Sequence, residues 1–285
     1  MSAADSSLDS DPQRALCAKC FEGYLLDGQP KGHLEKTGPI ESYVAVGKKT
    51  AEDGKVIVLA TDIFGLGIPN SKLLADKLAA ELGWTVYVPD LFEGDYIDTS
   101  KLQPQLELMD ESLYKKSLFS KITSILSILY GIVRYVGLGY VKKHSLRHAL
   151  TLSEQVCSFL RTEKGVKKIG MVGYCFGGGI AVLLATKAGP IDVGVSAHPG
   201  QIKAEDFKTI ARPFALLLPE EDWGFDRIKK DAVANLDGLA VPKVVHNYPD
   251  TLHGFACRPK LSDPNVKAQF HQALADTCAW FKEHL

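Results

Sequence analysis

The heptapeptide Gly-Tyr-Cys-Phe-Gly-Gly-Gly at 173–179 holds the side chain best suited to covalent chemistry. Apolar runs precede and follow it, so Cys175 is predicted to lie where a strand ends and a helix begins. Such a sharp turn exposes its central side chain and needs small residues two positions away, here Gly173 and Gly177. The helix N-terminus favours the nucleophilic thiolate. We therefore expect a nucleophile elbow; the alternative is a small buried cysteine in a glycine-rich strand end.

A cysteine nucleophile needs a general base, and three downstream histidines are candidates. His253 lies in a loop after a predicted strand, whereas His246 lies within that strand. His198, in the segment "SAHPG", also ends a strand and could face the cleft. On folds with such an elbow the usual chain order is nucleophile, acid, histidine. We predict that His253 is the base and that His198 lines the pocket or caps a neighbouring turn.

The acid that orients the base is expected in the segment "LPEEDWGFD", which follows an apolar strand. Acidic side chains there lie at the C-terminal edge of the sheet, where ligands bind in open α/β folds. Four carboxylates compete for the role, and their spacing leaves the choice open: Glu220, Glu221, Asp222 and Asp226.

The elements that must position these residues alternate between strand and helix from about residue 40. Strands are predicted at 42–47, 55–62, 84–90, 167–174, 191–198, 213–220 and 243–250, and helices at 70–83, 146–163, 176–188 and 263–285. Strands that are almost continuously apolar, separated by helices, predict a mostly parallel sheet covered on both faces. We expect one α/β domain over 14–285, after a Ser- and Asp-rich tail at 1–13 that is too polar to fold.

One block, at about 99–145, interrupts this alternation. Within it, the segment 118–136 carries apolar residues at helical spacing opposite a weakly polar face. We expect a helical insertion that folds over the active site as a lid and makes the pocket narrower and more apolar. The alternative is that the helix is part of the core.

Composition excludes several classes of function. The net charge is −1, so we expect no nucleic-acid partner. Charge-free apolar runs are too short for a membrane span, so no integral membrane protein is predicted. Six dispersed cysteines and a polar start without an apolar signal segment indicate free thiols in the reducing cytoplasm. We predict no cofactor and no metal, since Cys17 and Cys20 form a single CxxC and a closed zinc site needs four ligands.

Several segments together resemble the dienelactone hydrolase family of the α/β-hydrolase superfamily, most closely its fungal cytosolic branch. They span most of the chain from Cys20 to Arg258: "CFEGYLLDGQPKG", "TDIFGLG", "VYVPDLFEGD", "GYCFGGG", "SAHPG", "PEEDWGF" and "LHGFACR". The resemblance implies an α/β-hydrolase fold with a helical insertion near the active site. It also implies a small-molecule ester or lactone as the substrate, and it leaves open whether the protein is a monomer or a homodimer.

The resemblance assigns roles to residues at matching positions. It implies a triad of Cys175, Asp222 and His253, in which the thiolate attacks, the imidazole shuttles the proton and the carboxylate fixes the imidazole tautomer. The backbone N–H groups of Phe176 and Ile63 are expected to form the oxyanion hole.

Two departures from the family pattern concern the surroundings of the nucleophile. The family usually has Glu where this chain has Asp62, which is expected to contact the resting thiol or, alternatively, to cap the following turn. Bacterial members bind a substrate carboxylate with two arginines, whose positions correspond here to Cys257 and Gly94. Arg258 comes one residue later and is expected either to meet an anionic group or to be a solvated surface residue.

These departures keep two further classes of function open. One is a catalytically weakened α/β-hydrolase-fold protein that acts in binding or redox sensing. The other is a lipid-associated protein that works through the 118–136 helix. The main prediction is a thiol-dependent hydrolase of esters or lactones.

Overall fold

The structure is a computed structural model that describes residues 25–49, 53–96, 138–222 and 224–285. The predicted tail at 1–13, the Cys17 and Cys20 pair and the predicted lid helix at 118–136 lie outside the described residues.

The described strands form one eight-stranded sheet in the order β1-β2-β4-β3-β5-β6-β7-β8. β1 pairs antiparallel with β2, and β2 antiparallel with β4, whereas all pairs from β4 to β8 are parallel. The strands are β1 His33–Thr37, β2 Ile40–Ala45, β3 Lys55–Ala60, β4 Thr85–Pro89, β5 Lys168–Tyr174, β6 Val193–Ala197, β7 Phe214–Glu221 and β8 Lys243–Leu252.

Helices cover both faces of this sheet and bury a separate apolar layer on each. They are α1 Asn70–Leu82, α2 Leu138–Lys143, α3 Leu146–Thr162, α4 Phe176–Leu184, α5 Asp226–Asp237 and α6 Pro264–His284, with a 3-10 helix at Ala204–Thr209. One layer contains Val156 of α3 and Ile180 of α4. The other contains Leu78 of α1 and Phe281 of α6. The predicted α/β-hydrolase fold, with a mostly parallel sheet between helices, is therefore confirmed.

The structure also contains elements that the apolar pattern did not predict. Strand β1, with the sequence HLEKT, is an edge strand whose first four side chains are not buried, so it carries no apolar alternation. Helix α5 buries only Ala232 and Leu236 and is otherwise polar. The helix predicted at 176–188 ends earlier, at Leu184, because Thr186 pairs with Ile210 in an isolated bridge.

The parallel strands bring the candidate residues to one edge of the sheet. β3 ends just before Asp62, β5 just before Cys175, β7 just before Asp222, and β8 just before His253. Because parallel strands share their C-terminal edge, four segments that are distant in sequence meet there. Within the described residues, no helix is both long enough and apolar enough to cross a membrane.

Helix α6 depends on its N-cap, and this allows a test of the fold. The Asp263 carboxylate accepts hydrogen bonds from the backbone N–H groups of Asn265 at 2.9 Å and Val266 at 3.3 Å. We expect Asp263→Ala to lower the free energy of unfolding by about 1 kcal/mol, because two N–H groups lose their acceptor. Asp263→Ser, which keeps an acceptor, is the control. Equal urea midpoints for the wild type and the alanine variant would show that the cap does not stabilise α6.

Candidate active site

Cys175 occupies a strained turn between β5 and α4. Its φ of 53° and ψ of −111° are rare for a residue with a side chain, and its side chain is partly exposed. A Cβ atom on Gly173 would overlap the carbonyl oxygen of Gly177, and one on Gly177 would overlap the carbonyl oxygen of Ala60. The small neighbours are therefore required by close backbone packing, and the geometry is that of a nucleophile elbow.

Backbone hydrogen bonds fix this elbow to two neighbouring loops. The N–H of Cys175 donates to Ala197 O at 3.1 Å, and its carbonyl accepts from Gly200 N at 2.8 Å. On the other side, Gly177 N donates to Thr61 O at 2.9 Å. Neither Gly200 nor Thr61 was singled out from the sequence, although they lie in the segments "SAHPG" and "TDIFGLG".

The imidazole of His253 lies between Asp222 and Cys175. Its Nδ1 is 2.9 Å from Oδ2 of Asp222. The ring also makes a side-chain hydrogen bond with Cys175, for which Nε2 remains available. The His253 side chain is 11% exposed and that of Asp222 only 1%, so this contact is shielded from water. The structure thus brings together the three residues that the resemblance named.

The Asp222 carboxylate is held by the backbone that follows it. Its Oδ1 accepts from Gly224 N at 3.1 Å and Phe225 N at 3.2 Å. These bonds leave Oδ2 directed at His253 and partly compensate the burial of the carboxylate.

The electrostatics of the site favour a protonated imidazole. Burial by itself lowers the pKa of His253, but the negative charge of Cys175 and the hydrogen bond with Asp222 outweigh it and raise the pKa to about 10. A negative charge on the Cys175 side of the ring would therefore favour the protonated form of His253.

The other candidate acids have different partners. Glu220 accepts a hydrogen bond from Asp250 N at 2.6 Å, and Asp226 accepts one from Asp222 N at 2.9 Å. Oε2 of Glu221 is buried without a partner in the described part of the chain. His246 lies on β8, and its Nδ1 is 3.9 Å from the carboxylate of Asp276 on α6, so it faces an acid outside the candidate site.

The two residues expected to supply oxyanion-hole N–H groups lie next to the elbow. Phe176 is the first residue of α4, so its N–H has no acceptor within the helix. Ile63 lies in the loop that Thr61 fastens to the elbow. Neither N–H donates a hydrogen bond to another described residue, so both are available to a ligand.

Asp62 is buried and pairs with Arg258 instead of Cys175. Its Oδ2 accepts from Arg258 Nε at 2.8 Å, and its Oδ1 accepts from Phe64 N at 3.0 Å. The expected turn cap is thus present, whereas among the described residues the thiol that contacts Asp62 is that of Cys257, at 3.6 Å. Burial raises the pKa of the Cys257 thiol well above its usual value, which keeps it protonated.

Arg258 is not a solvated surface residue. Its side chain is 20% exposed, and its guanidinium lies 4.7 Å from the ring centroid of Phe64. It also lies within electrostatic range of Cys175.

His198, predicted to line the pocket or to cap a neighbouring turn, lies beside the candidate base. Its side chain is fully buried and stands edge-on to the ring of His253, with 4.9 Å between the ring centroids. It therefore contacts the candidate site through His253.

The described cysteines, Cys157, Cys175, Cys257 and Cys278, are all free thiols. No group of three or more His, Cys, Asp or Glu side chains within the described ranges is arranged to hold a metal ion.

Comparison with solved structures supports the fold. The crystal structure of dienelactone hydrolase from Anabaena variabilis superposes with a TM-score of 0.59 at 14% identity, covering 90% of this chain and 98% of that one. At this level of identity the similarity concerns the fold alone.

Comparison of sequences identifies the family. A hydrolase named pyvD from Aspergillus violaceofuscus is 29% identical over 93% of this chain and 96% of its own length. A carboxymethylenebutenolidase homolog from Mus musculus is 24% identical over 93% of this chain and 96% of its own length. The profile of the dienelactone hydrolase family matches residues 40–285, which include every residue of the site. The chain thus belongs to the dienelactone hydrolase family and is a hydrolase of the ester and lactone class.

Proposed function

We propose that the chain hydrolyses small-molecule esters or lactones by nucleophilic catalysis, with Cys175 as nucleophile, His253 as proton shuttle and Asp222 as orienting acid. The observation that carries this proposal is the buried line from Asp222 Oδ2 through His253 to Cys175, with 2.9 Å at its first contact. A strained, partly exposed cysteine beside an imidazolium is suited to attack and not to packing.

In the first half of the reaction, the Cys175 thiolate adds to the carbonyl carbon. The oxygen becomes an oxyanion that the N–H groups of Phe176 and Ile63 can receive. When the tetrahedral intermediate collapses, the C–O bond breaks and the His253 imidazolium protonates the departing alkoxide. The product is a thioester on Cys175; with a lactone, the new hydroxyl stays attached to the acyl group.

In the second half, neutral His253 takes a proton from water as that water attacks the thioester. The second tetrahedral intermediate expels the Cys175 thiolate and releases the acid. Asp222 holds the imidazole tautomer in which Nδ1 carries a proton, so that Nε2 can accept and donate in turn.

We assign to the Asp62–Arg258 ion pair the role of holding in place the loop that carries Ile63. The ion pair ties this loop to the segment after β8, and the Phe64 N–H bond fixes its turn. The name of the mouse relative, carboxymethylenebutenolidase homolog, brings a carboxylated lactone into the candidate substrates. A carboxylate bound near Cys175 would meet the guanidinium of Arg258, which is within electrostatic range of that thiol.

Replacement of the nucleophile tests the proposal most directly. Cys175→Ala should reduce the turnover of 4-nitrophenyl acetate to the uncatalysed rate, because no thioester can form. Limiting iodoacetamide should label Cys175 and abolish wild-type activity in parallel. Cys278→Ala, which removes a buried thiol of α6 away from the site, should keep full activity. Activity that survives complete labelling of Cys175 would exclude this mechanism, and an inactive wild type would favour a binding protein.

Replacement of the acid tests the line of contacts. Asp222→Asn should lower kcat by roughly 10²–10⁴-fold, because the amide no longer fixes the required imidazole tautomer. Glu220→Gln changes a neighbouring carboxylate that bonds only the Asp250 backbone among the contacts described, and it is the matched control. Steady-state kinetics on both variants measure the two values of kcat. A large loss of kcat in the Glu220 variant alone would show that the acid is misassigned.

Replacing one partner of the Asp62–Arg258 ion pair should lower the free energy of unfolding far more than replacing both partners. Arg258→Met leaves a buried carboxylate unpaired and should cost ~3–5 kcal/mol of unfolding free energy. The double variant Asp62→Asn/Arg258→Met should recover most of that loss in urea unfolding. If the double variant is as unstable as the single one, the pair does not anchor the loop.

A further inference from the structure

His198 stands in a conformation that needs an explanation. It follows β6 with a φ of 38°, which is uncommon for any residue with a side chain. Its side chain is fully buried. Strain of this kind costs of the order of 1–3 kcal/mol and persists only where the surroundings enforce it.

The ring nitrogens of His198 add to that cost. Neither Nδ1 nor Nε2 has a hydrogen-bond partner in the described part of the protein. A buried polar group without a partner destabilises a fold by about 1–3 kcal/mol, so an apolar ring of similar shape would stabilise this position better. Stability alone therefore does not account for a histidine here.

The contacts of His198 and of its turn join it to two members of the proposed triad, His253 and Cys175. Its ring meets that of His253 at a centroid distance of 4.9 Å and an interplanar angle of 60°. Phe255, at 6.0 Å, and Tyr174, at 6.1 Å, pack against His198 from other directions. The turn that carries it bonds the Cys175 backbone on both sides, through Ala197 O and Gly200 N.

The charge of His198 suits this place. Burial, followed by the positive charges of His253 and Arg258, lowers the pKa of His198 well below its usual value. Tyr174 is the other titratable group in ring contact with it. The ring is therefore neutral and sets no second positive charge beside the His253 imidazolium.

We propose that His198 is a positioning residue: its neutral ring holds the imidazole of His253 from behind, in line between Asp222 and Cys175. This inference rests on the proposed function. Asp222 bonds the ring of His253 at Nδ1 and Cys175 bonds it on the other side, so rotation of the ring about the line through these two contacts is limited by what packs against the ring. An edge-to-face contact supplies this limit and adds about 0.5–1.5 kcal/mol.

The test compares His198→Ala with His198→Phe. The alanine variant should lower kcat by roughly 10–100-fold with little change in KM, because His253 no longer keeps its alignment. The phenylalanine variant restores a ring, removes the two unpartnered nitrogens and should recover most of the lost kcat. In the alanine variant the rate of Cys175 alkylation by iodoacetamide should reach its half-maximum at a higher pH than in the wild type, since a poorly aligned imidazolium stabilises the thiolate less.

Val193→Ala is the matched control for simple loss of packing. Val193 is fully buried at the other end of β6, away from the three active-site residues. It should lower the melting temperature without changing kcat or the alkylation profile. If it lowers kcat as much as His198→Ala at a similar loss of melting temperature, the effect is general destabilisation and the proposal is wrong.

The outcomes separate this inference from the proposed function. Unchanged kcat and alkylation in His198→Ala, with an inactive Cys175→Ala, would overturn the positioning role and leave the triad in place. Failure of His198→Phe to recover activity while remaining folded would likewise overturn a role through ring packing. Full activity of Cys175→Ala would instead refute the proposed function, and this inference with it.

Discussion

Close contact between three backbones at the elbow is the constraint on which the site depends. Glycine at 173 and 177 lets β5, α4 and the loop after β3 approach within distances that any Cβ would prevent. This approach forces Cys175 into its strained conformation and directs its side chain away from the sheet. It also brings Thr61 O onto Gly177 N, which fixes the Ile63 loop beside the elbow. One packing condition thus sets the position of the nucleophile and of both candidate oxyanion donors.

The charged groups around the elbow fall into two pairs with different tasks. Asp222 and His253 form a pair whose second member reaches Cys175, and this pair can move a proton. Asp62 and Arg258 form a second pair. Arg258 bonds Asp62 and lies over the ring of Phe64, so this pair holds the backbone of the loop after β3. Cys257, the other cysteine near the site, contacts Asp62, and burial raises the pKa of its thiol well above the usual value.

Sequence patterns predicted the sheet and the approach of the site residues well, because both depend on local rules. Buried parallel strands are apolar throughout, and residues after such strands meet at one edge whatever their separation. Patterns failed where burial is slight, as in strand β1 and helix α5, whose side chains are mostly polar. They also could not decide the partner of Asp62 or the burial of His198. Those depend on the side-chain packing of segments far apart in the chain, which no periodicity encodes.

Several features that lower stability in this protein meet around the proposed reacting centre. Cys175 and His198 both have positive φ, Asp62 and Asp222 are carboxylates removed from water, and the His198 ring is buried without hydrogen bonds. Each is unfavourable alone, and the two-layered apolar core on either side of the sheet offsets them together. Because the core is rigid, it can hold the elbow, the His253 loop and the "SAHPG" turn in fixed relation while their local conformations are strained. The sheet therefore tolerates strain at its C-terminal edge, where Cys175, the proposed nucleophile, lies.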